Sequence, residues 1–164
     1  MPFTPFHMGP GLLIKSLVQG GFSLMVFGWA QVLMDIQPLL VLITGKGHLH
    51  GFSHTFIGAL LLGTLAAVSG KPLSELGLRI MGMGREHSIV ITWPVAVISG
   101  FIGSFSHVLI DGVMHSDLQP FYPASDNNPF LGWITVTMLH KLCLYSGLLG
   151  AGIFFGIQLK QKLR

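Results

Sequence analysis

His107 and Asp111 stand four residues apart in Ser106-His107-Val108-Leu109-Ile110-Asp111-Gly112-Val113-Met114-His115. On a helix they share a face, one turn apart. His115 follows another turn on, within the helix or beyond it if Gly112 stops or bends it. An imidazole and a carboxylate so spaced can chelate a divalent ion. The alternative is a satisfied polar patch in a buried helix. A second cluster shifts the balance toward a metal. His48, His50 and His54 fall within seven residues, in a chain with eight histidines. His54 is the best ligand of the three and His48 the weakest. Gly51 marks a loop-to-helix transition, with Ser53 as candidate N-cap. The third element is Asp35, a carboxylate between Val32-Leu33-Met34 and Ile36. In lipid such a group is costly unless it faces the inside of a bundle. Pro38 should kink or interrupt its helix, and broken helices beside buried acids line sites. His140 reads either as a ligand or proton shuttle, or as a hydrogen-bonded structural histidine.

The elements that must position these groups are apolar. Of 164 residues 51% are hydrophobic and 9% charged, against roughly 25% charged in a soluble domain. So few charges cannot cover a surface in water, and lipid must cover much of it. The expected fold is all-α: one membrane-embedded domain over residues 1–164, a polytopic helical bundle with about four spanning helices. The spans are read as Phe22 to Ile43, Phe56 to Val68 with its preceding turn, Ser88 to Ile110, and Ile134 to Leu159. The helix containing Pro94 should kink there, and Gly100 and Gly103, with Ser99, Ser104 and Ser106, give it a small-residue packing face. Between the second and third spans, Lys71 to His87 is the polar connector, with a short interfacial helix over 72–80 and a flexible Met81-Gly82-Met83-Gly84. The loop Gly112 to Gly132 lacks Lys and Arg and carries Asp117; it reads as a lid or rim beside the ligands.

The net charge of +3 forms no nucleic-acid patch, and no nucleic-acid partner is expected. Lys160, Lys162 and Arg164 read as a membrane flank. Single Cys143 forms no internal disulfide and reads as a buried hydrophobe. The basic connector and tail lie two spans apart and share a side, which the positive-inside rule makes cytoplasmic. The histidine cluster and the Asp117 loop then share the outer side. At the N-terminus, His7 precedes Gly9-Pro10-Gly11, a turn signal, and alone reads as a surface residue. Gln19-Gly20-Gly21 breaks the apolar stretch that follows. Leu12 to Val18 is then a short amphipathic or re-entrant segment.

Asp35, Gly51-Phe52-Ser53-His54 and Ser106-His107-Val108-Leu109-Ile110-Asp111 resemble the YdjM-like family of membrane-bound, predicted metal-dependent hydrolases. The resemblance covers most of the chain in order, on short motifs: an early His, Pro-Asp-Ile-Asp, His-Arg-Gly-x-Thr-His-Ser and Ser-His-x-x-x-Asp. It implies His7, Asp35, His54, His107 and Asp111 as metal ligands. Two positions depart from the pattern. Gln37 stands at the second acid. Leu49 stands at the first His of the tandem, with His50 at the Arg. His50 either supplies the missing imidazole from a shifted position or marks a weakened site.

The function expected from residues and resemblance together is an integral-membrane, metal-dependent hydrolase, of the inner (plasma) membrane if the source is bacterial. Zinc suits a His/Asp set, with manganese and iron as alternatives. Such an ion lowers the pKa of a bound water and polarises the scissile bond. Asp35 would be a ligand or bridging acid, and His115 or Asp117 the base or a second ligand. The partners expected are membrane lipid and a lipid-like or phosphoester substrate, near the headgroups. Two rivals stand beside this. A metal-binding or transport protein would spread its ligands through the bilayer depth with no cleft beside them. A structural or partner-binding protein would have its polar cluster fully hydrogen-bonded. For His7, topology and resemblance conflict: the first puts it on the cytoplasmic side, the second beside His54. A re-entrant arm would reconcile them.

Overall fold

The computed structural model describes residues 4–82 and 90–163, and among these every regular element is helical. The helices are α1 (Thr4–Val18), α2 (Leu24–Thr44), α3 (Phe56–Ile80), α4 (Trp93–Met114) and α5 (Val136–Lys162). The last four are long and apolar enough to cross a membrane. They alternate in direction. Large apolar side chains such as Leu39, Leu61, Ile98 and Leu148 point outward, as lipid contact requires.

Small residues let the backbones approach. A Cβ on Gly100 would lie 2.8 Å from the Gly63 carbonyl of α3, and one on Gly103 would lie 2.9 Å from the Phe27 carbonyl of α2. The small-residue face expected on α4 is therefore wedged between α2 and α3. Polar ties sit along the same seams. Ser23 N–H donates to Ser99 Oγ (2.8 Å), and Trp29 Nε1–H donates to Ser69 Oγ (2.9 Å). Around these, Ala30, Leu33 and Ala66 pack under Trp29. Met34, Ala59, Val108 and Leu118 form another core, with Phe56, Leu62 and Phe105 packed against it.

Several boundaries differ from the sequence expectation, each for a packing reason. Helix α1 starts at Thr4 and runs through Gly9-Pro10-Gly11. Those glycines serve packing rather than a turn: Gly9 lies against the Cys143 carbonyl and Gly11 against the Phe27 ring. The break at Gln19–Gly21 is present as a 3-10 turn, and Lys15 Nζ donates to the Gln19 and Phe22 carbonyls (2.7 and 2.9 Å). Helix α2 carries Pro38 inside it without interruption. Helix α3 does not end at Ser69-Gly70 but continues through Pro72 to Ile80. It absorbs the interfacial helix, because Gly70 packs against Trp29 and Val26 of α2. Glu75 then ties Lys71 (2.7 Å) to the Ile91 N–H (2.8 Å) ahead of α4. Pro94 opens α4 rather than kinking it, since the first turn needs no N–H from it. Arg85, Glu86, the Met83-Gly84 half of the flexible stretch and the expected start of the third span lie outside the described residues.

Helix α1 packs antiparallel to α2 and parallel to α5. Gly9 meets Cys143, and a Cβ on Gly150 would lie 2.6 Å from the Leu13 nitrogen. Fifteen residues at about 1.5 Å each give about 22 Å, short of a bilayer core of about 30 Å. So α1 is an arm laid inside the bundle. Its N-terminal end lies at the level of the α5 N-terminus, whereas Lys162 lies at the other end. The expectation that both chain ends share a side thus fails for the described residues, because α1 runs back along α5 rather than leading into α2 from the basic side.

Candidate metal centre

Each chemistry-bearing side chain is brought to one place by a different element. Helix α1 supplies His7, α2 supplies Asp35 and α4 supplies His107 and Asp111. His54 closes a 3-10 turn (Phe52–His54) immediately before α3. That turn is held by Gln37, whose Oε1 accepts from Ser53 N–H at 2.9 Å and whose amide packs against Gly51. The glutamine at the position of the family's second acid is therefore a clamp for the histidine loop. Thr55, not Ser53, caps α3: its Oγ1 accepts from Gly58 N–H at 2.9 Å. Ser53 Oγ instead lies 2.9 Å from His54 Nδ1.

Asp111 is the hub. Its Oδ2 lies 3.4 Å from His54 Nε2 and 3.3 Å from His107 Nε2, and its Oδ1 lies 3.2 Å from His7 Nε2. His107 Nε2 is also 3.3 Å from Asp35 Oδ1. His7, His54, His107 and Asp111 are all buried, Asp35 half-buried. None of these close approaches gives the three imidazole Nε2 atoms or Asp111 Oδ1 a hydrogen bond. A buried polar atom left so costs about 1–3 kcal/mol.

Gln31 explains why His107 is arranged this way. The amide Nε2 of Gln31 donates to the Gly103 carbonyl (3.1 Å), which leaves Oε1 as acceptor toward His107 Nδ1 (2.6 Å). His107 therefore carries its proton on Nδ1, and the Nε2 lone pair faces Asp111 and Asp35. A lone pair facing carboxylate oxygens at 3.3 Å is relieved by a proton or by a metal cation between them. Partner groups that fix a ligand's tautomer in this way are a regular companion of metal-binding histidines. Gln31 escaped sequence reading. Its one signal was an amide in an apolar helix, one turn before Asp35.

The spacing suits an ion. Two ligand atoms at about 2.0–2.1 Å from a tetrahedral ion lie about 3.3–3.4 Å apart, close to the separations around Asp111. Asp35, His54, His107 and Asp111 offer ligand atoms that all lie within 4.8 Å of one another. This buried Asp/His cluster could hold a metal ion. His7 stacks on the His107 ring (centroids 4.5 Å apart) and faces the other oxygen of Asp111. Burial pushes the His54 imidazole below its ordinary pKa, with the neighbouring imidazoles adding to the effect against the pull of Asp111.

A family model described as "YdjM inner membrane protein" matches residues 14–162. The chain belongs to this family. It is accordingly an integral protein of the inner membrane, in keeping with its four apolar helices. No curated protein and no solved structure matches the chain.

The remaining candidates of this family member lie just above the hub. His50 is buried, and its Nδ1 lies 2.9 Å from both oxygens of Asp117. His115 caps the end of α4, outside the helix, and stacks on His50 with centroids 4.0 Å apart. Gly112 does not stop α4, which runs on to Met114. Burial lowers the His115 pKa, and the adjacent His50 adds to this. Partial burial opposes ionisation of Asp117, but the His50 imidazole outweighs it and holds the carboxyl below its ordinary value. A polar cleft of about 400 Å³ opens here, lined by His48, His50, Phe52, Asp117, Gln119 and Tyr122 among others. The loop after α4 is fixed rather than free. Leu118 is fully buried, Pro120 accepts from the Phe56 N–H (2.8 Å), and Asn128 donates to the Gly112 and His115 carbonyls. It forms a rim. His140 is in neither metal-competent group; it stacks on Phe6. His48 is exposed.

Proposed function

We propose that this protein is a membrane-bound, metal-dependent hydrolase, acting on a phosphoester or lipid ester near the headgroups. The observation that carries the reading is the convergence of unpartnered His54 and His107 nitrogens on Asp111, beside a polar cleft. Asp35, His54, His107 and Asp111 would hold a divalent ion, with His7 on the far oxygen of Asp111. Zinc suits this donor set, and manganese or iron would also be accepted by it. When bound, the ion would supply Lewis-acid polarisation and a more acidic water. Around it, Gln31 and Ser53 orient the His107 and His54 rings. Asp117, half-exposed on the cleft, would take the proton from an attacking water, and its contact with His50 keeps it ionised for that task.

Both rivals fit less well. A transport path would need ligands at several depths, whereas these gather at one level beside a cleft. A purely structural cluster would be hydrogen-bonded throughout, yet six side-chain atoms around Asp111 and His115 are buried without a partner among the described residues. The test is metal analysis of the protein purified in detergent, followed by hydrolysis assays on phosphodiester and carboxylic ester lipids. The expected result is a bound divalent ion, chelator-sensitive turnover of one substrate class, and loss of both ion and turnover in His107→Ala. Stoichiometric metal with no turnover of either class would favour the metal-binding rival. Absence of metal would overturn the reading altogether.

A further inference from the structure

His115 and His50 have surroundings that the four-residue centre does not use. His115 Nε2 is buried and has no hydrogen-bond partner among the described residues. The ring stacks on His50, whose Nδ1 is engaged by Asp117 on both oxygens (2.9 Å each). That carboxylate keeps the His50 proton on Nδ1 and leaves its Nε2 lone pair free, the same arrangement that Gln31 imposes on His107. His50, His115 and Asp111 each offer a ligand atom, all within 4.8 Å of one another. Asp111 is thus common to two metal-competent groups. Its Oδ2 faces His54 and His107, which leaves Oδ1, buried and without a hydrogen bond, for another partner.

We infer that the protein binds a second divalent ion between His50, His115 and Asp111, with the Asp111 carboxylate bridging the two ions. His7 Nε2, 3.2 Å from the same Oδ1, is a further donor within reach. The inference rests on the reading of Asp35, His54, His107 and Asp111 as the first metal centre and adds an ion to it. Two ions bridged by a carboxylate sit about 3.5–4 Å apart, close enough to clamp one substrate oxygen between them. The second ion is the one nearer the cleft, since His50 lines it. The position occupied by His50 is one of the departures from the family pattern. It acquires a purpose here: with Leu49 unable to ligate, His50 and His115 together supply the imidazoles of the outer ion.

The experiment is titration of the full-length, chelator-stripped protein in detergent with Co(II) or Mn(II). Bound metal is counted by mass spectrometry, and Mn(II) coupling is read by electron paramagnetic resonance. The wild type should bind about two ions per chain and show an exchange-coupled Mn(II) signal. His115→Ala and His50→Gln should retain one ion and lose the coupling, while Asp117→Asn should weaken the second step by about 10- to 100-fold. Helix content and elution volume report whether each variant folds; the wild-type count depends on none of them. One ion in the wild type, lost in His107→Ala and untouched in His115→Ala, would overturn the second site and leave the first standing. No ion at all would overturn the underlying centre, and the inference with it.

Discussion

Gln31 is the residue whose substitution separates a metal centre from a generic polar cluster. It is in neither metal-competent group, yet it sets the His107 tautomer through Nδ1. Gln31→Leu should therefore weaken metal binding by about 10- to 100-fold while the helices still form. Isothermal titration with Co(II) measures this, and unchanged affinity would refute the role given to Gln31. His107→Ala removes a proposed ligand and should abolish the first ion. His7→Ala removes only a neighbour of Asp111 Oδ1 and should weaken binding less. Acidification should release the ion, because an imidazole ligates only when unprotonated. Burial lowers the His54 pKa from 6.5, so its neutral form persists below that pH. Falling pH should displace the metal, followed with a chelating dye; full retention of the ion at about pH 4 would contradict it.

At the scale of elements, α1 is the part with the most consequence for its size. It is too short to span, and its place depends on close contact with α5. Gly150→Val puts methyl groups where the Leu12–Leu13 backbone lies, so α1 must shift. Overpacking of this kind costs about 1–3 kcal/mol. It should also mimic His7→Ala in metal affinity, although residue 150 lies far along α5 from the site. A drop in thermal stability with metal affinity fully intact would show that α1 does not position His7. On α4, Gly100 and Gly103 let α2 and α3 approach from two sides, which brings Asp35 within 3.3 Å of His107. The loop after α4 is set by Leu118 in the core and Asn128 on the α4 carbonyls, and so holds Asp117 against His50.

For the whole molecule, the site lies at one end of the bundle and most of the described basic residues at the other, Lys46 and Lys141 excepted. Lys71, Arg79, Lys160 and Lys162 follow the ends of α3 and α5 that point away from Asp111. By the positive-inside rule the metal-competent end faces outward from the cytoplasm. Cysteine introduced at Ser125, in the rim loop, should label from the periplasmic side and cysteine at Lys162 only after permeabilisation. Labelling of both from one side would sink this orientation. Ser74 is a poor reporter for the inner side, because it is buried within α3.

Charge scarcity and apolar run length alone determined that this chain is a helical membrane protein with four spans. Lipid permits few other solutions to backbone hydrogen bonding. Histidine and aspartate types at short spacing named the ligand candidates, since imidazole and carboxylate have little other business in lipid. Tertiary structure decided what spacing cannot encode. It drew His7 to Asp111 by packing α1 along α5, and it turned Gly9-Pro10-Gly11 from a turn signal into a packing surface. It made Gln37 a loop clamp and Gln31 the orienter of His107, contacts between residues 16 and 76 positions apart. It also put His50 and His115 face to face, 65 positions apart in sequence. Such pairings depend on which helix faces are buried against each other, and glycine-mediated packing, rather than local pattern, sets those faces in a bilayer.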